Sequence, residues 1–193
     1  MALASLKKTE TFSYGDYLNW PNDERWELIE GSAYNMSPAL NRKHQIILRE
    51  LLVQIAVYLK DKPGEVYCAP FDVRLPEEDE PDEEVKSVVQ PDIVIVCNDS
   101  KLDDKGCRGA PDIVIEILSP STASKDMQKK LLLYEKHKVK EYWIVHPAEN
   151  IISVFKLDKN GNYGKSDIFT KDNKLKTPIL QGLEIDHDLI FQQ

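Results

Sequence analysis

Two segments of this chain are near copies of each other. Pro91-Asp92-Ile93-Val94-Ile95-Val96 is followed, twenty positions on, by Pro111-Asp112-Ile113-Val114-Ile115-Glu116. Each is a short apolar run with no polar alternation. Such runs form strands inside a sheet that is covered on both faces. The copies differ most at the sixth position, where the first has Val96 and the second Glu116. A glutamate within a run as apolar as IVIEIL is costly to bury unless a cation or a bound metal compensates its charge. Glu116, with Asp92 near it in sequence, is the strongest pointer to function.

A chain of 193 residues fits one ordinary domain, taken here as residues 1–193. Hydrophobic residues make up 41% and charged residues 30%, enough for a real core and against disorder. No stretch approaches the roughly 18 apolar residues of a membrane span. MALASLKKTETF has no apolar signal core, so export is not expected. Cys68, Cys97 and Cys107 are odd in number and form no CxxC pair. A disulfide framework or zinc site is therefore not expected, and a reducing cytoplasm is the simplest home. The net charge of -8 speaks against nucleic acid, but it is unevenly spread. Seven acids crowd EEDEPDEE at 77–84, inside a loop spanning 76–87, and the remainder is close to neutral. Charge runs of this kind are usually solvated loops.

Residues 13–20 read as a short helix closed by Pro21, and 25–36 as a hairpin turning at Gly31-Ser32. Asn41 to Leu59 is an amphipathic helix whose apolar positions include Ile46, Ile47, Leu51, Ile55, Val57 and Leu59, widened by Leu48, Leu52 and Val53. Val66 to Leu75, Val88 to Cys97 and Pro111 to Leu118 read as strands. Ser119-Pro120-Ser121-Thr122 starts a helix that runs to about His137. Glu141 to His146 and Ile151 to Leu157 pair as strands, with further segments at Lys165–Phe169 and Leu183–Ile190. This order gives a mixed α/β (α+β) domain, a central mixed sheet flanked by helices.

Strand side chains alternate faces, so Asp92 and Glu116 can converge if the twin strands are antiparallel or staggered. Two converging carboxylates are the minimum for a hard divalent cation. On the following helix Met127, Lys130, Leu131 and Tyr134 share one face, which turns Lys130 inward. Lys130 could then meet Glu116, either as a structural salt bridge or as part of a reactive site. Asp112 reads as a supporting residue at its strand's start, and Tyr134 as a packing residue whose hydroxyl could also brace the site.

On these residues the chain resembles the Uma-two family of restriction endonucleases, within the PD-(D/E)XK nuclease superfamily. The matching pieces are WELIEG (26–31), MSPALNRKH (36–44), VQPDIVIV (89–96), APDIVIEILSPST (110–122), DMQKKLLLY (126–134) and VKEYWIVHP (139–147). The resemblance implies a restriction endonuclease-like fold. It implies that Asp92 and Glu116 hold Mg2+ or Mn2+. The superfamily's lysine two residues after the acid is replaced by Leu118, and the helical Lys130 takes its place. Glu30 would complete the metal shell, and His44 would contact phosphate or orient a water. The chain departs from the family at Lys138, where glycine is common, so the helix is expected to lack its favoured left-handed ending. It departs again at His146, where aspartate is common.

The implied chemistry is metal-dependent hydrolysis of phosphodiester bonds in DNA. The alternative is a catalytically silent nuclease-fold protein that binds nucleic acid or a protein partner. A hydrolase of small phosphate esters is a third reading, which an enclosed pocket would favour. A homodimer joined through an exposed strand near Trp143 is a further expectation.

Overall fold

In the computed structural model of the chain, residues 11–21, 24–36, 41–119 and 125–192 are described. The elements in order are α1 (Tyr14–Tyr17), β1 (Trp26–Ile29), β2 (Ser32–Asn35), α2 (Arg42–Leu59), β3 (Glu65–Cys68), β4 (Val73–Arg74), β5 (Val88–Val89) and β6 (Ile93–Val96). Then follow β7 (Leu102–Asp103), β8 (Gly106–Arg108), β9 (Ile113–Ile117), a π-helical turn (Lys125–Lys130) running into α3 (Leu131–Lys136), β10 (Glu141–His146), β11 (Ile151–Lys156), β12 (Asp167–Phe169) and α4 (His187–Ile190). The expected helix start at Ser119–Thr122 falls mostly outside the described residues, as do residues 37–40 of the MSPALNRKH segment.

The strands form two six-stranded mixed sheets, ordered β2-β1-β5-β4-β8-β7 and β12-β11-β10-β9-β6-β3. Two segments expected as single strands pass from one sheet to the other. The Val88–Cys97 run leaves the first sheet after β5 and enters the second at β6. Pro91 lies at that corner, where it has no N–H to give to a ladder. The Val66–Leu75 run divides in the same way around Pro70, into β3 and β4. The β5–β6 corner carries Asp92, so the break in the strand is what exposes the acid.

The twin strands lie side by side in the second sheet and are covered on both faces, as their sequence demands. Ile93, Ile95, Ile113, Ile115 and Ile117 pack with Ile47, Leu51, Ile55 and Leu59 of α2. Val94, Val96 and Val114 face Leu133 and Tyr134 of α3 and Val73, Leu75 and Val89 of the other sheet. Leu51 and Ile55 are fully buried, each contributing roughly 1.5–3 kcal/mol. The buried stripe of α2 runs His44, Ile47, Leu51, Ile55, Leu59. Val53 and Val57, read as part of that face, fall on the other side of the helix and stay exposed. No helix among the described residues is long and apolar enough to cross a membrane.

Three local expectations are corrected. The β1–β2 turn consists of Glu30 and Gly31, both with positive φ (49° and 77°), and Ser32 already begins β2. A two-residue turn of this kind matches the strands' twist. Trp143 does not mark an exposed strand: it is fully buried, and β10 sits between β9 and β11. The proposed dimer contact therefore loses its surface. The acidic run is not simply a solvated loop. Asp82 bonds the buried Arg74 at 2.7 Å, and Glu77 meets Lys136 at 2.7 Å.

Nor does α3 lack a left-handed ending. Lys138 takes φ 64°, and Val139 N–H returns to Tyr134 O at 2.9 Å. That is the bond of a Schellman cap, here formed without its glycine. A side chain in this conformation is strained. Lys138→Gly is expected to stabilise the protein by about 0.5–1 kcal/mol, net of the freedom glycine adds to the unfolded chain. Lys138 Nζ also bonds Gly161 O at 2.8 Å across the surface. A melting point at or below that of the wild type would mean that this bond outweighs the strain.

Candidate active site

β6 and β9 run antiparallel with Ile93 opposite Ile115 and Val94 opposite Val114. One further step in that register sets Asp92 against Glu116. The condition for the two acids to converge is thus met by direct antiparallel pairing. Glu116 is inside the β9 ladder and 5% exposed, while Asp92 lies just beyond the end of β6.

Glu116 is compensated by the helix that follows it. Lys130 Nζ donates to Glu116 Oε1 at 2.7 Å and to Glu27 Oε1 at 2.8 Å. All three side chains are buried, Glu27 completely. Isolated charges at such depth would be prohibitively costly, and each is met by charge and hydrogen bonds. Tyr134 donates its hydroxyl to Glu116 Oε1 at 3.1 Å, as a brace should. Burial first, and the Glu116 carboxylate second, push the Tyr134 phenol well above its usual range, so it stays a donor. Gln90 N–H donates to Glu27 Oε1 at 3.1 Å and fixes that carboxylate from the β5–β6 corner.

Asp92 is held from two other directions. Its Oδ2 accepts from the Ile117 N–H at 2.8 Å and lies 3.2 Å from His44 Nε2. His44 comes from the first turn of α2, whose N-cap Asn41 accepts from the His44 N–H at 2.9 Å. Among the described residues, the buried His44 Nδ1 atom has no hydrogen-bond partner. Among the described residues, Asp92 Oδ1 makes no hydrogen bond, and the Asp92 side chain is 14% exposed.

Glu30 is not brought into this group. It occupies the hairpin turn, is 64% exposed and bonds Lys136 at 3.1 Å. Asp112 also stands apart as a supporting residue, accepting from Cys97 N–H at 2.7 Å and Lys140 Nζ at 2.6 Å. Burial alone would raise its carboxyl, but these two donors outweigh it and hold the group below its usual range. His146, in place of the common aspartate, contacts Ser153 Oγ at 3.0 Å. A surface cleft of about 520 Å³ lies on the outer side of α2, lined by Arg42, Gln45, Ile46, Arg49 and Gln192 rather than by the carboxylates.

Sequence reasoning passed over Glu27, although it lies in the quoted WELIEG segment. The available signal was a glutamate flanked by Trp26 and Leu28 inside a four-residue strand, the same pattern that drew attention to Glu116. Glu30, three residues on, is the acid of the turn.

The donor set fits a hard divalent cation. Asp92 and Glu116 offer carboxylate oxygens, and the Lys130 ammonium meets both Glu116 and Glu27. No cluster of three or more histidine, cysteine or acidic residues suited to a metal occurs among the described residues. A divalent cation such as magnesium is commonly held by one or two carboxylates while keeping several waters.

Among solved structures, the chain is similar to the crystal structure described as "a putative nuclease belonging to DUF820 from Anabaena variabilis ATCC 29413". The identity is 20% and the TM-score 0.73, with 93% of this chain and 97% of that chain covered. The likeness shows a shared fold, that of the nuclease neighbour. No curated protein matches. The Uma2 family model, described as "Putative restriction endonuclease", matches residues 14–188, and the chain belongs to that family.

Proposed function

We propose that this protein is a metal-dependent endonuclease that hydrolyses phosphodiester bonds in DNA, with Asp92 and Glu116 as ligands to Mg2+ or Mn2+. The observation that carries this reading is the buried Lys130 ammonium 2.7 Å from Glu116, on the acid that the strand register sets against Asp92. When bound, the cation supplies Lewis acidity and a water of lowered pKa. Asp92 is aimed by the Ile117 N–H and His44, which leaves its second oxygen for ligation. Lys130 fixes Glu116 and sets positive charge where negative charge grows on the phosphate oxygens. His44 holds the Asp92 carboxylate in orientation, and Glu27 anchors Lys130 from behind. Glu30 has no part in this reading. The free thiols of Cys68, Cys97 and Cys107 suit a reducing cytoplasm.

The silent-protein reading is favoured by one feature. Lys130 already has two acids, as a purely structural centre would. Incubation with plasmid and single-stranded DNA separates the two. The nuclease is expected to cut in Mg2+ or Mn2+ and to stop in EDTA. Binding of DNA without cutting in either metal would overturn the catalytic reading and leave the silent one.

A further inference from the structure

Close to the buried acids lies a cation that, among the described residues, no acid answers. Lys129 is exposed and directly precedes Lys130. Its ammonium donates to Tyr34 Oη at 2.6 Å and lies 4.6 Å from the centre of the Tyr34 ring. Tyr34 stands opposite Glu27 in the β1–β2 ladder. Directly opposed residues share one face of a sheet, and Glu27 is the carboxylate that anchors Lys130. Tyr34 is half-buried against the core beneath. The pair therefore lies beside the Glu27–Lys130–Glu116 group, on the same face of the β1–β2 ladder.

Charge distinguishes Lys129 from its neighbour on α3. Lys136 is held by both Glu30 and Glu77. Among the described residues, no carboxylate meets Lys129, and its partner is a phenol. Its positive charge is thus left to act on an approaching anion. The phenol contact also limits the freedom of a long side chain, so less entropy is lost when an anion is bound.

We propose that Lys129 binds a backbone phosphate of the nucleic-acid strand next to the carboxylate site, with Tyr34 as the residue that positions it. This rests on the nuclease reading and names where the strand is gripped. A lysine serves such a contact as a point charge, and the contact carries no base information.

The test is steady-state cleavage of a duplex oligonucleotide in Mg2+ at several salt concentrations, by wild type, Lys129→Ala, Lys129→Arg and Tyr34→Phe. Lys129→Ala is expected to raise KM about 10-fold at low salt, with kcat within about twofold. It should also flatten the dependence of log KM on log salt by about 0.9, the signature of one lost phosphate. Lys129→Arg keeps the slope, and Tyr34→Phe raises KM by a smaller factor with the slope kept. Melting points of the two Lys129 variants stay at the wild-type value, because Lys129 is exposed. An unchanged KM and salt slope in Lys129→Ala, with the wild type cutting normally, would overturn the contact alone. If the wild type binds the duplex without cutting, the same slope read on Kd decides. If it neither binds nor cuts, the nuclease reading fails and this contact with it.

Discussion

Lys130→Met is expected to destabilise the protein by about 3–5 kcal/mol, more than the loss of either acid beside it. The reason is an asymmetry in the buried group. Lys130 is one cation shared by two carboxylates, Glu27 and Glu116, with 2.8 Å and 2.7 Å contacts. Removing one acid leaves a balanced ion pair. Removing the lysine takes from two carboxylates, one fully buried and one 5% exposed, the cation they share. They must then take up protons or draw in water, and either costs stability. Methionine fills most of the lysine's volume, so a cavity is not the cause. For a domain of this size the loss corresponds to roughly 6–20 °C in Tm. The control is Glu27→Gln/Lys130→Met/Glu116→Gln, which removes the orphaned charges and should recover much of the stability. If Lys130→Met melts within about 1 kcal/mol of the wild type, the group is far better solvated than its burial indicates. The sign with pH also follows. The orphaned acids are tolerated better when protonated, so the variant's deficit should shrink as pH falls toward the carboxylate range.

Much of this arrangement was legible in the sequence because it rests on local periodicity. The twin PDIVI runs read as covered strands, and the stripe through Lys130 and Tyr134 turned the lysine inward. The side chain of Met127, the first member of that stripe, lies outside the described residues. That Asp92 could stand across from Glu116 was legible as a condition, that the strands be antiparallel or staggered, and not as a result. Register depends on partners distant in sequence, which a single chain's pattern does not carry. The same limit explains the two strands read as continuous. Pro91 and Pro70 signalled a break, but not that the chain would change sheets there. Glu27 was missed for a different reason. Its pairing with Lys130 joins residues 103 positions apart, and β1 is too short for its alternation to stand out. Trp143 was misplaced because an aromatic in a strand reads alike whether the strand is at the edge or between neighbours, and only the sheet order decides.

Glu116→Gln is expected to cut metal-dependent cleavage by about 10³-fold or more while leaving the fold in place. The amide oxygen can still accept from Lys130 and from the Tyr134 hydroxyl, which now reach Glu116 Oε1 at 2.7 Å and 3.1 Å. Lys130 keeps Glu27 as its counter-charge, so no buried ion is orphaned and the stability cost stays near 1–2 kcal/mol. What is lost is one of two carboxylates proposed to hold the cation. A readout besides cleavage separates this from simple damage. A metal that binds only the folded wild type stabilises it by about 2.7 kcal/mol at a hundred times its Kd, and Glu116→Gln should lose most of that metal-induced rise in Tm. Asp92→Asn should do the same, although through a different neighbourhood. Its amide can still accept from the Ile117 N–H, and it meets His44 without the charge that now faces Nε2. If both variants lose the metal-induced rise yet fold as well as wild type, the two acids act as one metal site. If either keeps the full rise, it is not a ligand, and the Lys130 group is a structural centre in a fold whose chemistry lies elsewhere.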